Sequence, residues 1–276
     1  MPEQNDHGPS PAITQAIADL LDRGALAVVV TVVRGPGTGA KLLIDERSLI
    51  FGSLGNAELD ALAAKQSAEF LRSHSETRMY GANELLGEFA PEFPGAAETL
   101  LMFERLQPAP RLVVCGAGHV GAALAKLGSF AGYQTTLIDD RAEFLERSRF
   151  SEDVKLVVAN DWAEAVGNAI GNGRGVPVAV VTRGHNEDER CMNAVVLSNP
   201  DYTGLIGSKR RTSIVIERLR EKGATDEQLK KIHAPIGLDI GAVSPEEVAL
   251  AIIAEIVAER RGASGESLSA WRRRGL

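Results

Sequence analysis

Only two cysteines, Cys115 and Cys191, occur among the 276 residues. Two thiols exclude a disulfide scaffold, and no Cys-x-x-Cys pair is there to begin a zinc site. Positive charge is also scarce. Thirty Lys and Arg stand against 37 Asp and Glu, a formal net charge of −7, and they do not gather into one long block. That pattern excludes a general nucleic-acid binder, which needs clustered positive charge. The short run Arg272, Arg273, Arg274 reads as a solvated tail. No apolar run reaches membrane-spanning length. The opening MPEQNDHGPSPA is polar and Pro-rich, without the basic start and apolar core of a signal peptide. These absences point to a cytoplasmic protein in a reducing compartment.

What is present is a globular composition, 44% hydrophobic and 24% charged. The length suits one large domain or two ordinary ones. Two compositions meet near ERLQPAPR, where Pro108 and Pro110 cannot continue a helix and hold the chain extended. The expected division is therefore 1–107 and 108–276.

In the first part, Ile13, Ile17, Leu20 and Leu21 recur at helical spacing over 12–23. ALAVVVTVV is a β-branched strand candidate, and KLLI and SLIFGSL read as short strands around the polar turn DERS. Helical periodicity returns over 57–74. The segment GANELLGEFAPEFPGAAETLLMFERL stays ambiguous, its end fitting a strand or a helix. The glycine turns RGPGTGA and FGSLGNA either shape a pocket wall or are plain hairpin turns, with Lys41 and Glu58 as the polar candidates. This part reads as a small mixed α/β unit.

After the linker, strands and helices alternate. RLVVC, QTTLID, VKLVVA, VPVAVVT and TGLIG are nearly all-apolar strands. Helices are expected over 119–131, 142–149, 187–197 and 209–222, with another in DWAEAVGNAI. Such alternation predicts a parallel sheet covered on both faces, a Rossmann-like doubly wound domain. The last helix has a written start: Ser244 as cap, Pro245 at the first position, Glu247 closing a capping box. Val248, Ile252, Ile253 and Ile256 form its apolar stripe, with Ala251 beside it.

Gly116, Gly118 and Gly121 form G-x-G-x-x-G between a strand and a helix. The first glycine permits a tight turn, the second lets the backbone approach a phosphate, and the third lets helix and strand pack closely. Free N–H groups over Gly118, His119, Val120 and Gly121 then favour an anion. His119 reads as a neutral hydrogen-bond donor to a phosphate or metal-oxo group, or as an exposed loop residue. Asp139 and Asp140 end the next strand, where a carboxylate accepts from a ribose, unless Asp140 only caps the next helix. Arg141 beside them would tolerate a 2′-phosphate.

VVTRGHNEDERC puts Arg183, His185 and Asp188 at the carboxyl edge of the sheet, where such folds bind ligands. His185 and Asp188 have a metal-pair spacing, but no third ligand accompanies them. In GLIGSKRR, Ser208 caps a helix while Lys209, Arg210 and Arg211 add positive charge, either for a phosphate or carboxylate or simply for solvent. In HAPIGLDIGA, Asp239 sits among apolar residues after His233. It needs partners, from backbone N–H groups or from the amino-pyrimidine edge of a pterin or purine. Cys115 and Cys191 read as packed residues.

These stretches together resemble the XdhC/CoxI family, accessory proteins of xanthine dehydrogenase and carbon monoxide dehydrogenase. The resemblance is carried by CGAGHVGAALAKLGSFAGYQTTLIDDR, VVTRGHNED, GLIGSKRR and HAPIGLDIGAVSPEEVALAIIAEI, over about 108–261, with a shorter match in GTGAKLLI and FGSLGNAEL. It implies a chaperone that binds molybdenum cofactor (molybdopterin) and protects it while its terminal sulfur is installed. The cofactor then passes to a molybdenum hydroxylase. The implied partners are that hydroxylase, a cysteine desulfurase and a second copy of the chain. The family's first domain usually carries GS-x-PR before GAK and a GGGC-x-E turn. Here RGPGTGAK and GNAEL stand instead, with Asn56 and Ala57 in place of a glycine and the cysteine, while Glu58 remains. The glycine loop with Asp139 keeps an NAD(P)-dependent oxidoreductase as an alternative, though no Tyr-x-x-x-Lys pair accompanies it. A nucleotide-responsive scaffold is the third reading.

Overall fold

The computed structural model describes residues 11–73, 75–86, 94–171, 175–200 and 202–269, with residues 11, 12, 185 and 186 described by their backbone only. The opening polar residues and the Arg272–Arg274 run lie outside that set. The chain forms two compact units, Met1–Pro108 and Ala109–Leu276.

The first unit runs α1 (Pro11–Asp22), β1 (Ala27–Arg34), β2 (Lys41–Asp45), β3 (Ile50–Ser53), α2 (Ala57–Arg72), β4 (Thr77–Gly81), α3 (Ala82–Leu86) and β5 (Leu100–Leu106). Its strands make an antiparallel sheet in the order β3-β2-β1-β5-β4. The apolar run of β1 is explained by cover on both faces. Val28, Val30 and Val32 join Leu59, Ala63 and Phe70 of α2 in one core. Ala27 and Val29 join Ala16 and Leu20 of α1 in another. The period-two alternation of a strand sends neighbours to opposite layers. The polar turn between β2 and β3 is closed by the Asp45 carboxylate, which accepts from the N–H groups of Arg47 and Leu49. The ambiguous segment ends as a strand, β5, whose Leu101 and Phe103 are fully buried. β4 has no counterpart in the sequence reading. It is an edge strand in which only Tyr80 is buried, so it carries no apolar alternation to detect.

The second unit runs β6 (Arg111–Cys115), α4 (His119–Phe130), β7 (Gln134–Asp139), β8 (Lys155–Val158), α5 (Trp162–Ile170), β9 (Pro177–Val180), α6 (His185–Ser198), β10 (Tyr202–Leu205), α7 (Lys209–Glu221), α8 (Asp226–Lys230), β11 (Ile232–His233) and α9 (Pro245–Arg261). Its six strands are all parallel, in the order β11-β10-β9-β6-β7-β8. This is the Rossmann-like doubly wound sheet. α4 and α9 cover one face over Leu112, Val114 and Leu137. α5, α6 and α7 cover the other over Val113, Cys115, Val178 and Val180. The chain leaves β6 towards β7 and β8, then crosses to β9 on the far side of β6. The carboxyl ends of β6 and β9 therefore border the crevice where ligands sit in open α/β sheets.

The start of α9 is as the sequence spells it. Ser244 accepts from the Glu247 N–H, Glu247 reaches back to the Ser244 N–H, and Pro245 opens the helix. The expected helix over 142–149 is instead two 3₁₀ turns, Ala142–Phe144 and Arg147–Arg149. Leu145 and Phe150 anchor the stretch in the core, Arg149 bonds Phe144 O within it, and Arg147 ties it to Val154 O just beyond. A segment this short gains little from continuous helix. α8 and β11 have no counterpart in the sequence reading either, being too short for periodicity to register.

Candidate functional site

The three glycines of the loop after β6 have three different physical reasons. Gly116 has φ +109°, and a Cβ on it would lie 2.7 Å from the Val181 carbonyl oxygen of the neighbouring strand. Only glycine tolerates that conformation and that approach. At Gly121 a Cβ would overlap the Gly116 carbonyl oxygen, so the helix could not pack against the turn. Gly118 differs. Its φ of −64° is open to any residue, and a Cβ there would meet nothing within 4 Å. The protein's own packing makes no demand for glycine at this position.

Gly118 is also the N-cap of α4, and no side chain caps the helix. Among the described residues, the N–H groups of Gly118, His119, Val120 and Gly121 have no hydrogen-bond partner. The first turn of a helix carries such orphan donors together with the positive end of the dipole. His119 is exposed, with Val120 half-buried behind it.

Asp139 ends β7 and is buried, 2% exposed. Its Oδ2 accepts from the Ala117 N–H at 2.6 Å, and its Oδ1 from the Arg141 N–H at 2.9 Å. The Arg141 guanidinium adds bonds of 2.9 and 3.1 Å, and itself lies over the Phe144 ring at 3.7 Å. Burial alone would raise this carboxyl. The Arg141 side chain and the two backbone N–H groups outweigh it and hold the group below the usual carboxylate range. Asp139 thus works inside the protein as the brace of the glycine loop. Asp140 is turned outward and meets Arg183, with Oδ1 3.0 Å from Nη1 and Oδ2 3.3 Å from Nη2. It caps no helix.

Arg183 lies just before α6, and Glu187 stands 3.7 Å from it. His185 opens α6, its side chain outside the described set. Asp188, with a metal-ligand spacing from His185, is wholly buried and committed elsewhere. It accepts from the Thr182 hydroxyl and from the Arg211 guanidinium, Nε at 2.8 Å. Among the described residues no group of three or more His, Cys, Asp or Glu is placed to hold a metal. The positive charge expected of Arg211 is accordingly spent inside, not presented to a ligand. Ser208 caps α7 by accepting from the Arg211 N–H, and Lys209 and Arg210 remain exposed. The Thr182–Asp188–Arg211 node escapes the sequence reading. Its members lie on one loop and two helices, and local pattern does not link them.

The loop after β11 is tied down by Glu255 of α9. One carboxylate oxygen accepts from the Gly237 N–H at 2.8 Å and from the Tyr202 hydroxyl; the other stands 3.6 Å from His233 Nδ1. His233 also stacks on Tyr202, with ring centroids 4.5 Å apart. Asp239, beyond this anchor, is exposed and has no hydrogen-bond or ion-pair partner among the described residues. Cys115 and Cys191 are both fully buried. Burial, contact with Cys115 and the Asp188 charge push the Cys191 thiol up, so it stays protonated and behaves as core.

In the first unit the departures from the family pattern have a structural use. Asn56 caps α2, its side chain accepting from the N–H groups of Glu58 and Leu59 at 2.8 and 3.1 Å. Lys41 donates to the Thr31 hydroxyl at 2.8 Å, and Glu58 is exposed.

A doubly wound parallel sheet with a glycine-rich helix start at its switch point defines the second unit as a Rossmann-like domain. Within that class, the family model described as the XdhC Rossmann domain matches residues 112–256, just over half of the chain. The chain belongs to the XdhC family. Three curated relatives extend the comparison. An uncharacterized Escherichia coli protein, YqeB, is 27% identical over 83% of this chain and 42% of its own length. A probable xanthine dehydrogenase subunit from Bacillus subtilis is 28% identical over 59% of this chain and 47% of its own. The molybdenum cofactor insertion chaperone PaoD of Escherichia coli is 23% identical over 56% and 41%. The matches thus span less than half the length of each relative. The crystal structure of a Bacillus halodurans protein described as a xanthine dehydrogenase superposes with a TM-score of 0.66 at 20% identity. It covers 92% of this chain and 68% of that one, a likeness of fold. Among the described residues no helix is long and apolar enough to cross a membrane.

Proposed function

We propose that this chain is a maturation factor that binds molybdenum cofactor and delivers it to a xanthine dehydrogenase-type molybdenum hydroxylase. The observation that carries the reading is Gly118. Its glycine is not needed by the fold, yet it keeps open the space in front of four unpaired N–H groups. A phosphate oxygen fits such a space, and the cofactor ends in a phosphate. Family membership and the similarity to PaoD, a molybdenum cofactor insertion chaperone, support molybdenum cofactor as the ligand.

In this reading Gly116, Gly118, His119, Val120 and Gly121 hold the phosphate, with Asp139 and Arg141 keeping the loop in shape. Arg183, Lys209 and Arg210 balance its charge, Ser208 sets the direction of α7, and His185 opens the adjacent helix. Asp239, without a partner among the described residues, faces the amino-pyrimidine edge of the pterin. Once delivered, the cofactor supplies the molybdenum centre of the hydroxylase; this chain binds, shields and releases it. A cysteine desulfurase and a second copy of the chain belong to the same proposal, and so does a cytoplasmic site of action. The first unit offers no thiol at the turn where the family carries one, so sulfur transfer through that turn is not part of this chain's role.

Mass spectrometry of small molecules released from the purified protein tests the reading. Wild type should yield molybdopterin or a nucleotide form of it. Gly118→Val should fold, because its Cβ meets open space, but purify empty. Release of NAD(P) from the wild type, or ligand retained by Gly118→Val, would overturn it.

A further inference from the structure

We infer that Asp140 is an internal competitor for the ligand's anion: it occupies the Arg183 guanidinium when the cradle is free and takes it back when the ligand leaves. The inference rests on the anion-cradle reading above and concerns how that cradle lets go.

Asp140 follows β7 directly, and Arg183 lies three residues past β9. β7 and β9 are the two neighbours of β6 in the sheet. The ion pair therefore reaches from one neighbour to the other at the end where β6 feeds the glycine loop. Its geometry is fork to fork, at 3.0 and 3.3 Å, the arrangement a guanidinium also uses for two phosphate oxygens.

The other arginines are held by buried charge. Arg141 is committed to buried Asp139, and Arg211 to buried Asp188. Removing either from its partner would strand a buried carboxylate. Arg183 carries no such obligation. Its side chain is 45% exposed and that of Asp140 30%, so parting them leaves both in water. Among these three arginines, Arg183 alone is free to change partners at little cost.

The two anions differ in what they offer. Asp140 has one negative charge on a fixed stem, with Arg141 Nε 3.8 Å away to hold it in place. A phosphate has up to two, with N–H donors of the loop beside it. The phosphate wins while bound. Asp140 and Glu187, 3.7 Å from Arg183, repel it throughout and recapture the guanidinium as it departs. For a protein that hands its ligand on, a competitor built into the site keeps affinity below what the donors alone would give.

The test measures binding of inorganic pyrophosphate and of ADP by calorimetry and stopped flow. The proteins are wild type, Asp140→Asn, Arg183→Ala, the double variant of these two, and Gly118→Val. Asp140→Asn should tighten both ligands about two- to five-fold, the range an exposed ion pair commands. The gain should appear in slower dissociation. Arg183→Ala should weaken both, and adding Asp140→Asn to it should change nothing further. A gain of affinity is not what a folding lesion produces. ADP weakened by Asp140→Asn, with pyrophosphate unaffected, would make Asp140 a reader of ribose hydroxyls and overturn the inference. Unchanged binding of both would also overturn it. In either case the cradle survives if Gly118→Val abolishes binding. If neither probe binds wild type or Asp140→Asn, cradle and competitor fall together.

Discussion

The Asp139 carboxylate and the Ala117 amide, 22 residues apart in sequence, meet at 2.6 Å in the buried floor of the glycine loop. An aspartate at the end of the second strand is usually read as a ribose acceptor. Here its oxygens are engaged by Ala117 and Arg141, and what it fixes is the path of the loop.

Replacing Asp139 with Asn should therefore cost stability before it costs ligand. The amide keeps one acceptor, loses the charge, and turns an N–H₂ towards a donor. A loss of about 2–3 kcal/mol is expected, below the full value of a buried pair because Arg141 is partly exposed. The sign with pH comes from a carboxyl held below its ordinary 3.8. Its contribution is present above the unfolded value and fades as pH falls through the folded one. Urea titrations should show the gap between wild type and Asp139→Asn at full size near neutral pH. The gap should narrow below about pH 4. A gap that stays constant into acid would mean the charge is not what braces the loop.

Two alanines separate packing from ligand at the glycines. Gly121→Ala drives a methyl into the Gly116 carbonyl oxygen, and backbone must move. A loss of more than about 3 kcal/mol is expected. Gly118→Ala meets open space at a permitted φ and should be neutral, or stabilising by up to about 1 kcal/mol through the unfolded chain. Thermal melts of the two variants decide it. Equal destabilisation would mean that Gly118 serves the fold and nothing else.

The legible parts of this protein are those where one residue type answers one local constraint. Gly116 and Gly121 announce a turn and a close approach that no side chain survives. Ser244, Pro245 and Glu247 announce a helix start. The β-branched strands announce a sheet covered on both faces, and the alternation after Pro110 announces its parallel winding. The hidden parts depend on partners far along the chain. Arg211 reads as one more cation beside Lys209 and Arg210 until Asp188, 23 residues earlier, is seen to claim it. Asp139 and Asp140 both read as ribose acceptors, with a helix cap as the alternative for Asp140, yet one faces the core and the other the crevice, a difference set by strand alternation at the end of β7. Asn56 reads as a departure from the family's glycine turn and proves to be a helix cap.

The Asp188–Arg211 pair makes a contrast between adjacent arginines. Arg211→Ala leaves a carboxylate with 0% exposure whose remaining side-chain donor, among the described residues, is the Thr182 hydroxyl. A loss of about 3–5 kcal/mol is expected. Arg210→Ala, at an exposed position, should change stability by no more than about 0.5 kcal/mol. Denaturant unfolding of both variants checks the contrast. Similar small effects would show that Asp188 finds other partners and that the α7 loop is not held by this node.

His233 has surroundings that fix the sign of its pH dependence. Glu255 and Glu259 of α9 and Tyr202 of β10 are the titratable groups that act on it. The Glu255 carboxylate draws the imidazole above its ordinary 6.5, against a smaller opposing effect of burial. Tyr202 is pushed far up by burial and by the same carboxylate, so it remains a neutral donor throughout. A raised histidine contributes stability that is complete below about 6.5 and is lost as pH climbs through the folded value. Its side chain is 31% exposed and the separation is 3.6 Å, so the effect should stay under about 1 kcal/mol. Unfolding of wild type and His233→Gln should therefore differ most near pH 6 and converge towards about pH 8.5. Because Glu255 also holds the Gly237 N–H, the protection of that amide, with the base-catalysed rise of exchange divided out, should fall over the same interval in wild type and not in the variant. A stability difference that widens as pH rises would mean that neutral His233, through its stack on Tyr202, is the form that secures the loop.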